Sequence, residues 1–113
     1  MVKIDSTIFG EITIDGKVYY SDMTVWWDGK MEYRDKNHII DTGEFLSIAK
    51  SKPEIIVIGT GQEGILKLGP GVSDLAEERN IEIYAEKTPK AIKMFNAFIS
   101  DKKKAVCVVH VTC

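Results

Sequence analysis

Residues 54 to 61 read Glu54-Ile55-Ile56-Val57-Ile58-Gly59-Thr60-Gly61, and this stretch decides the fold. A branched apolar run of that length, bounded by Pro53 and closed by glycines, reads as a strand buried on both faces. A strand covered on both sides needs layers above and below it, and the flanking sequence supplies them as helices. Downstream, Ser73 is placed to cap a helix running to about Asn80 and carrying Leu75, Ala76 and Arg79. Ile81-Glu82-Ile83-Tyr84 is a further strand. Thr88 then reads as an N-cap with Pro89 at the first helical position, where a missing N–H costs nothing. On a wheel of about 100° per residue, Ala91, Ile92, Phe98 and Ile99 fall within roughly 60° of Phe95. Asn96 sits at the edge of that stripe, and Lys102 to Lys104 form a solvated turn at the helix end, where cations suit the dipole. Ala105-Val106-Cys107-Val108-Val109 is apolar on both faces and reads as a central strand.

Upstream, Asp41-Thr42-Gly43-Glu44 has the form of a capping box, with Asp41 accepting from the backbone and Glu44 reaching back. It opens a short helix with Phe45, Ile48 and Ala49 on one face, closed before Pro53. The first forty residues are a β meander. Alternation in Glu11 to Ile14 stops at Asp15-Gly16 and resumes in Lys17 to Tyr20; Thr24 to Trp27 reaches Asp28-Gly29 and returns in Lys30 to Tyr33. Asp-Gly between two such runs predicts a tight hairpin with positive φ at both central residues. Helix and strand alternate through the rest of the chain, which implies crossover connections and some parallel pairing. The expected architecture is therefore mixed α/β: N-terminal antiparallel hairpins joined to a small α/β layer, in a single domain over residues 1–113.

The chain has 113 residues, and its 15 basic and 17 acidic residues give a net charge of −2. That balance argues against nucleic-acid binding, which needs a basic surface to displace counterions. No apolar run approaches the roughly 18 residues of a membrane span, and Asp5 stands where a signal peptide needs an apolar core. A soluble cytoplasmic protein, with no membrane partner, is expected. Cys107 and Cys113 share one face of the terminal strand; six residues of strand span about 20 Å, too far for a disulfide, which needs Cα atoms within about 7 Å. With only His110 between them they also fall short of a metal-ligand pattern, so neither metal nor cofactor is expected.

Gly59-Thr60-Gly61-Gln62-Glu63-Gly64 matches G-x-G-x-x-G after a strand, but no helix opens at Gly64; the helix starts only near Ser73. A dinucleotide site lacks its structural context, and a turn opening a crevice beyond the strand end is the better reading. Ligands gather at such ends, so Gly59, Thr60 and Gly61, with Thr88 at a helix start, Lys67 as a cation and Asn96 on the last helix, are candidate binding residues for a small anion or phosphate. No catalytic residue stands out. His110 alternates with Val106 and Val108 as a core or edge imidazole, His38 lies in a loop, and no serine has an evident base. Glu77 and Glu78 read as a solvated helix face. Adjacent Trp26 and Trp27 point to opposite faces of a strand, so the outward one is a candidate interface anchor, with Asp22 and Asp28 as a polar rim.

Pro53-Glu54 before a strand ending Gly59-Thr60-Gly61, then Thr88, Ala91, Phe95 and Asn96, then a terminal apolar strand, resembles the Mth-type domain family of small α/β proteins. That family includes the adipogenesis-associated Mth-domain protein and relatives of a mitochondrial complex I assembly factor. The resemblance implies a mixed fold with a β-hammerhead-like N-terminal part and two principal helices. It brings no established catalytic residue, substrate or cofactor, and it suggests an assembly or regulatory role with a protein partner. Some relatives carry an Arg-rich segment after the Asn-bearing helix, where this chain has Ser100 to Lys104.

Two function classes follow. The favoured one is a non-catalytic binding or assembly/regulatory domain with a surface groove near the Gly59-Thr60-Gly61 turn. The alternative is a small-molecule or phosphate-binding enzyme using the same groove. Nothing in the sequence fixes an oligomeric state.

Overall fold

The computed structural model describes residues 1–113. In chain order the elements are β1 (Ile4–Ile8), β2 (Glu11–Ile14), β3 (Lys17–Tyr19), β4 (Asp22–Trp26), β5 (Met31–Arg34), β6 (Ile39–Ile40), α1 (Thr42–Ala49), β7 (Ile55–Gly59), β8 (Lys67–Leu68), α2 (Val72–Glu78), β9 (Glu82–Glu86), α3 (Thr88–Ser100) and β10 (Ala105–Val109). The main sheet has the order β5-β4-β10-β7-β9. As the two-faced apolar run predicts, β10 is central, antiparallel to β4 and parallel to β7, and β7 is parallel to β9. Strands β1, β2 and β3 form a separate antiparallel sheet, and β6 and β8 a short parallel pair.

Alternation along the strands sorts their side chains into two cores. Val25, Ile55, Val57, Cys107 and Val109 face α3 through Ala91, Ile92, Phe95 and Ile99, joined by Ile4, Ile12 and Ile14 of the smaller sheet. Trp26, Ile56, Ile58, Val106 and Val108 face α1 and α2 through Phe45, Ile48, Val72 and Ala76. The fold is thus a mixed α/β layer with antiparallel hairpins at its N-terminal side. Where the resemblance implies two principal helices there are three, α1 and α2 being short.

Several local expectations change. The first hairpin has the predicted turn, with Asp15 at φ +49° and Gly16 at φ +81°. The second does not. Trp26 N–H bonds Lys30 O (2.8 Å) and only Gly29 is left-handed, so Trp27, Asp28 and Gly29 make a three-residue loop and Trp27 leaves the strand. Ser73 does not cap α2. Gly71, at φ +85°, precedes the helix, burying Val72 completely and placing Ser73 in the first turn; Asn80 lies beyond the helix in the left-handed region. Thr88 is the first helical residue of α3, not its cap; Lys87 holds the cap position without a side-chain bond. Asp41 does cap α1, accepting from Glu44 N at 2.8 Å, but the Glu44 carboxylate goes to Arg34 and not back to the helix start.

Candidate functional site

The carboxyl ends of β7, β10 and β9 meet at the glycine turn, where His110 N bonds Gly59 O (2.9 Å). Gly59 passes close under α3: a Cβ on it would lie 3.0 Å from Thr88 Oγ1. Gly61, at φ +103°, admits no side chain at all, since a Cβ would collide with the Cys113 backbone and stand 2.8 Å from His110 Cδ2. The turn is held by its own donors. Thr60 N bonds Glu86 O (2.9 Å), Gly61 N bonds Thr88 Oγ1 (2.9 Å), Gln62 N bonds Thr112 O (2.8 Å) and Glu63 N bonds Cys113 O (3.2 Å). Thr88 completes the tie by donating its hydroxyl to His110 O at 2.7 Å and its N–H to Gly61 O at 3.2 Å. The backbone donors from Thr60 to Glu63, and those of Thr88, Lys90 and Ala91 at the start of α3, are engaged within the chain, while the buried Gln62 Nε2 has no partner.

Of the sequence candidates, Gly59, Thr60, Gly61 and Thr88 therefore come together, all buried. Lys67 and Asn96 do not join them. Lys67 is exposed on β8, its main chain bonded to His38 O, and the lysine whose stem lies beside the turn is Lys87, 3.9 Å from a Cβ built on Gly64. Asn96 lies two helical turns along α3 and clasps β1, accepting from Ile4 N (2.9 Å) and donating to Ile4 O (2.7 Å). Trp26 is 5% exposed, with its indole N–H on Ser51 Oγ (3.1 Å) and Lys30 Nζ 4.7 Å above its ring. Trp27 is half-buried against both cores.

A polar network behind the turn has no counterpart in the sequence reading. Asp22, expected as a polar rim, is buried: its Oδ2 takes Arg34 Nη1 (3.0 Å) and lies 2.7 Å from His110 Nδ1, while Oδ1 accepts Val111 N (3.1 Å). Arg34 also donates Nε and Nη2 to Glu44 (2.6 and 3.1 Å), and Nη1 and Nη2 to Asn37 O and Ile39 O (3.0 and 3.4 Å). All the donor positions of the guanidinium are used, so it is structural. Arg34 forms the floor of a cleft of about 320 Å³ between β4–β5 and α1, with Glu32, Asp35, Asp41 and Glu44 around it and Tyr33 on its wall.

His110 Nε2 reaches Thr112 Oγ1 at 3.3 Å, giving an Asp22–His110–Thr112 chain in the order of a catalytic triad. The imidazole is fully buried, and the Arg34 cleft is not lined by it. Its neighbours explain it as a joint between β4 and β10, with the exposed His38 ring edge-on at 5.2 Å. Two groups have shifted acidity. Burial pushes the Cys107 thiol far up, and the hydrogen bond from Tyr84 to Glu82 (2.6 Å) raises the phenol.

Several large apolar side chains at this end are exposed. Gly10 N bonds Val111 O (2.8 Å), which brings the Phe9–Gly10 tip beside the end of β10. Ile8 pairs with Glu11, and one step beyond the Ile12–Tyr19 pair puts Tyr20 in the same row. Ile65, whose N–H bonds Cys113 O (3.1 Å), and Ile39, next to His38 whose ring meets His110, lie at the same end. Exposures are 61% for Ile8, 65% for Phe9, 74% for Tyr20, 49% for Ile39 and 41% for Ile65.

The family model described as "Protein of unknown function (DUF498/DUF598)" matches residues 4–110. The chain belongs to this family. A conserved hypothetical protein from Pyrococcus horikoshii OT3 is 28% identical, with a TM-score of 0.88 over 98% of this chain and 99% of that one. The protein MT938 is 27% identical over the full length of both chains, with a TM-score of 0.85. A Mth938-like domain from Bordetella pertussis shares the fold at 12% identity, with a TM-score of 0.70 over 96% of this chain and 85% of that one. The Mth-type resemblance is thereby shown, and the family's description names no activity.

Proposed function

We propose that this DUF498/DUF598 member is a non-catalytic binding domain that engages a protein partner through the apolar end beside the Gly59-Thr60-Gly61 turn. The observation that carries the reading is a contrast within one end of the molecule. Large apolar side chains (Ile8, Phe9, Tyr20, Ile39, Ile65) stand in solvent, while the backbone donors of the turn and the buried Asp22 and His110 side chains are bonded within the chain, Gln62 Nε2 alone among the buried side-chain polar atoms being unpaired. Exposed apolar groups clustered on a soluble domain mark interaction surfaces, whereas enzyme sites keep convergent polar groups free. Phe9 and Tyr20 are the anchors, being large, amphipathic or aromatic, and the most exposed of the cluster.

The test is a thermal-shift screen alongside partner capture by the double variant Phe9→Ser/Tyr20→Ser. A ligand at 1,000 times its Kd adds about 4 kcal/mol, a clear shift for a domain of this size. The expected result is no shift from nucleotides, sugar phosphates or simple anions, and loss of the captured partner in the variant at unchanged Tm. A selective shift by a phosphate compound, lost on Lys87→Ala, would transfer the function to the turn and overturn the reading.

A further inference from the structure

Strand β9 ends the main sheet, and its outer side carries backbone groups without partners. In a parallel pair alternate residues bond inward. Here Glu82 N bonds Glu54 O (3.1 Å) and Glu86 O accepts from Thr60 N (2.9 Å), so Glu82, Tyr84 and Glu86 face β7. The N–H and C=O groups of Ile83 and Ala85 therefore point to the open edge of the sheet. The strand is five residues long and nowhere fully buried; at about 3.3 Å per residue it offers an edge of about 17 Å. An open edge of this kind is a template for an added strand.

The surroundings specify what that strand carries. On the α3 side, the carboxylates of Glu82 and Glu86 flank Tyr84, whose ring packs on Phe98 (5.5 Å between centroids). Glu86 meets only an exposed Lys90 at 3.4 Å, a pair that solvent screens. On the α2 side a shallow hollow of about 340 Å³ is lined by Ala76, Ile81 and Ile83, with Ser73 and Glu77 at its rim. Successive side chains of an added strand point alternately to these two sides. A second copy of this chain is a poor occupant: antiparallel pairing of β9 with itself over all five residues sets Glu82 opposite the partner's Glu86 twice, and like charges directly opposite are destabilising.

We infer that β9 is a docking edge for an extended peptide segment of a protein partner, with basic side chains at alternate positions facing Glu82 and Glu86 and small apolar ones between them facing the α2 hollow. This edge is separate from the apolar end, and its test does not depend on that reading.

The experiment titrates the isotope-labelled full chain with a short blocked peptide alternating lysine and valine, followed by amide NMR. Controls are the glutamate–valine counterpart and a lysine–valine peptide N-methylated along one edge. Binding tighter than about 1 mM, with the largest shifts at the Ile83 and Ala85 amides, is expected. N-methylation on the β9-facing edge weakens it by about tenfold or more, as the backbone bonds are lost. Ala85→Pro removes an outward N–H that the ladder does not use, and it abolishes binding. Should that variant fail to fold, Glu82→Lys/Glu86→Lys decides the matter, because preference must pass to the glutamate–valine peptide. Equal binding of both peptides, largest shifts elsewhere, or no binding up to about 1 mM overturns the inference.

Discussion

The glycine turn and strand β9 are hydrogen-bonded neighbours, joined by Thr60 N to Glu86 O at 2.9 Å, yet they are opposites in how their backbones are used. The turn carries the glycine motif, and its backbone donors from Thr60 to Glu63 are all bonded within the chain. The edge has no motif, and it keeps backbone donors and acceptors free at Ile83 and Ala85. Close glycine packing and phosphate binding need the same residue type for one reason: backbone must approach something closely. At Gly61 that something is the chain's own Cys113 and His110.

Because the backbone of the turn and the Asp22 network are tied within the chain, their polar groups are sensitive to deletion. Asp22→Ala strands Arg34, His110 Nδ1 and Val111 N together. Removing one partner of a buried ion pair costs about 3–5 kcal/mol, so urea denaturation should show a loss of that size. A loss below about 1 kcal/mol would mean the network is exposed in solution. Gly61→Ala comes next, since a left-handed backbone and a collision act together; the expected loss is about 2–3 kcal/mol. Ala85→Pro at the neighbouring edge should change stability far less, and equal losses at the two positions would erase the distinction between them.

The smallest effect is a pH slope. Burial raises the Cys107 thiol from its ordinary value of 9.0. A raised acid keeps its proton in the folded state, so its contribution is complete below pH 9 and declines as pH rises above it. The slope is up to about 1.4 kcal/mol per pH unit. Stability measured from pH 8 to 10.5 should fall more steeply for wild type than for Cys107→Ala, and parallel curves would place the thiol in solvent.

Much of the architecture was legible because periodicity is local. The runs at 55–58 and 105–109, the Asp15-Gly16 turn and the apolar stripe of α3 all state their environment within a few residues. Strand β1 was not, since Ser6 and Thr7 interrupt its apolar positions and a bulge shifts its register between Ile4 and Ser6. Thr88 before Pro89 has the signature of a cap, and nothing nearby distinguishes it from the cross-tie it makes to Gly61 and His110. Asp22 and His110 are 88 residues apart. A polar pair at that separation leaves no periodic trace, so the network emerged only once β4 and β10 were adjacent. The free edge was illegible for a related reason: which strand ends a sheet is a property of topology, not of the strand.

Amide hydrogen exchange on the unmodified chain tests the central contrast most directly. The account predicts protected amides at Gly61, Gln62 and Ile65, and within β9 a strict alternation, with Tyr84 and Glu86 slow and Ile83 and Ala85 fast. Slow exchange at Ile83 and Ala85, together with fast exchange through the turn, would contradict it: the edge would then be covered and the turn free to bind.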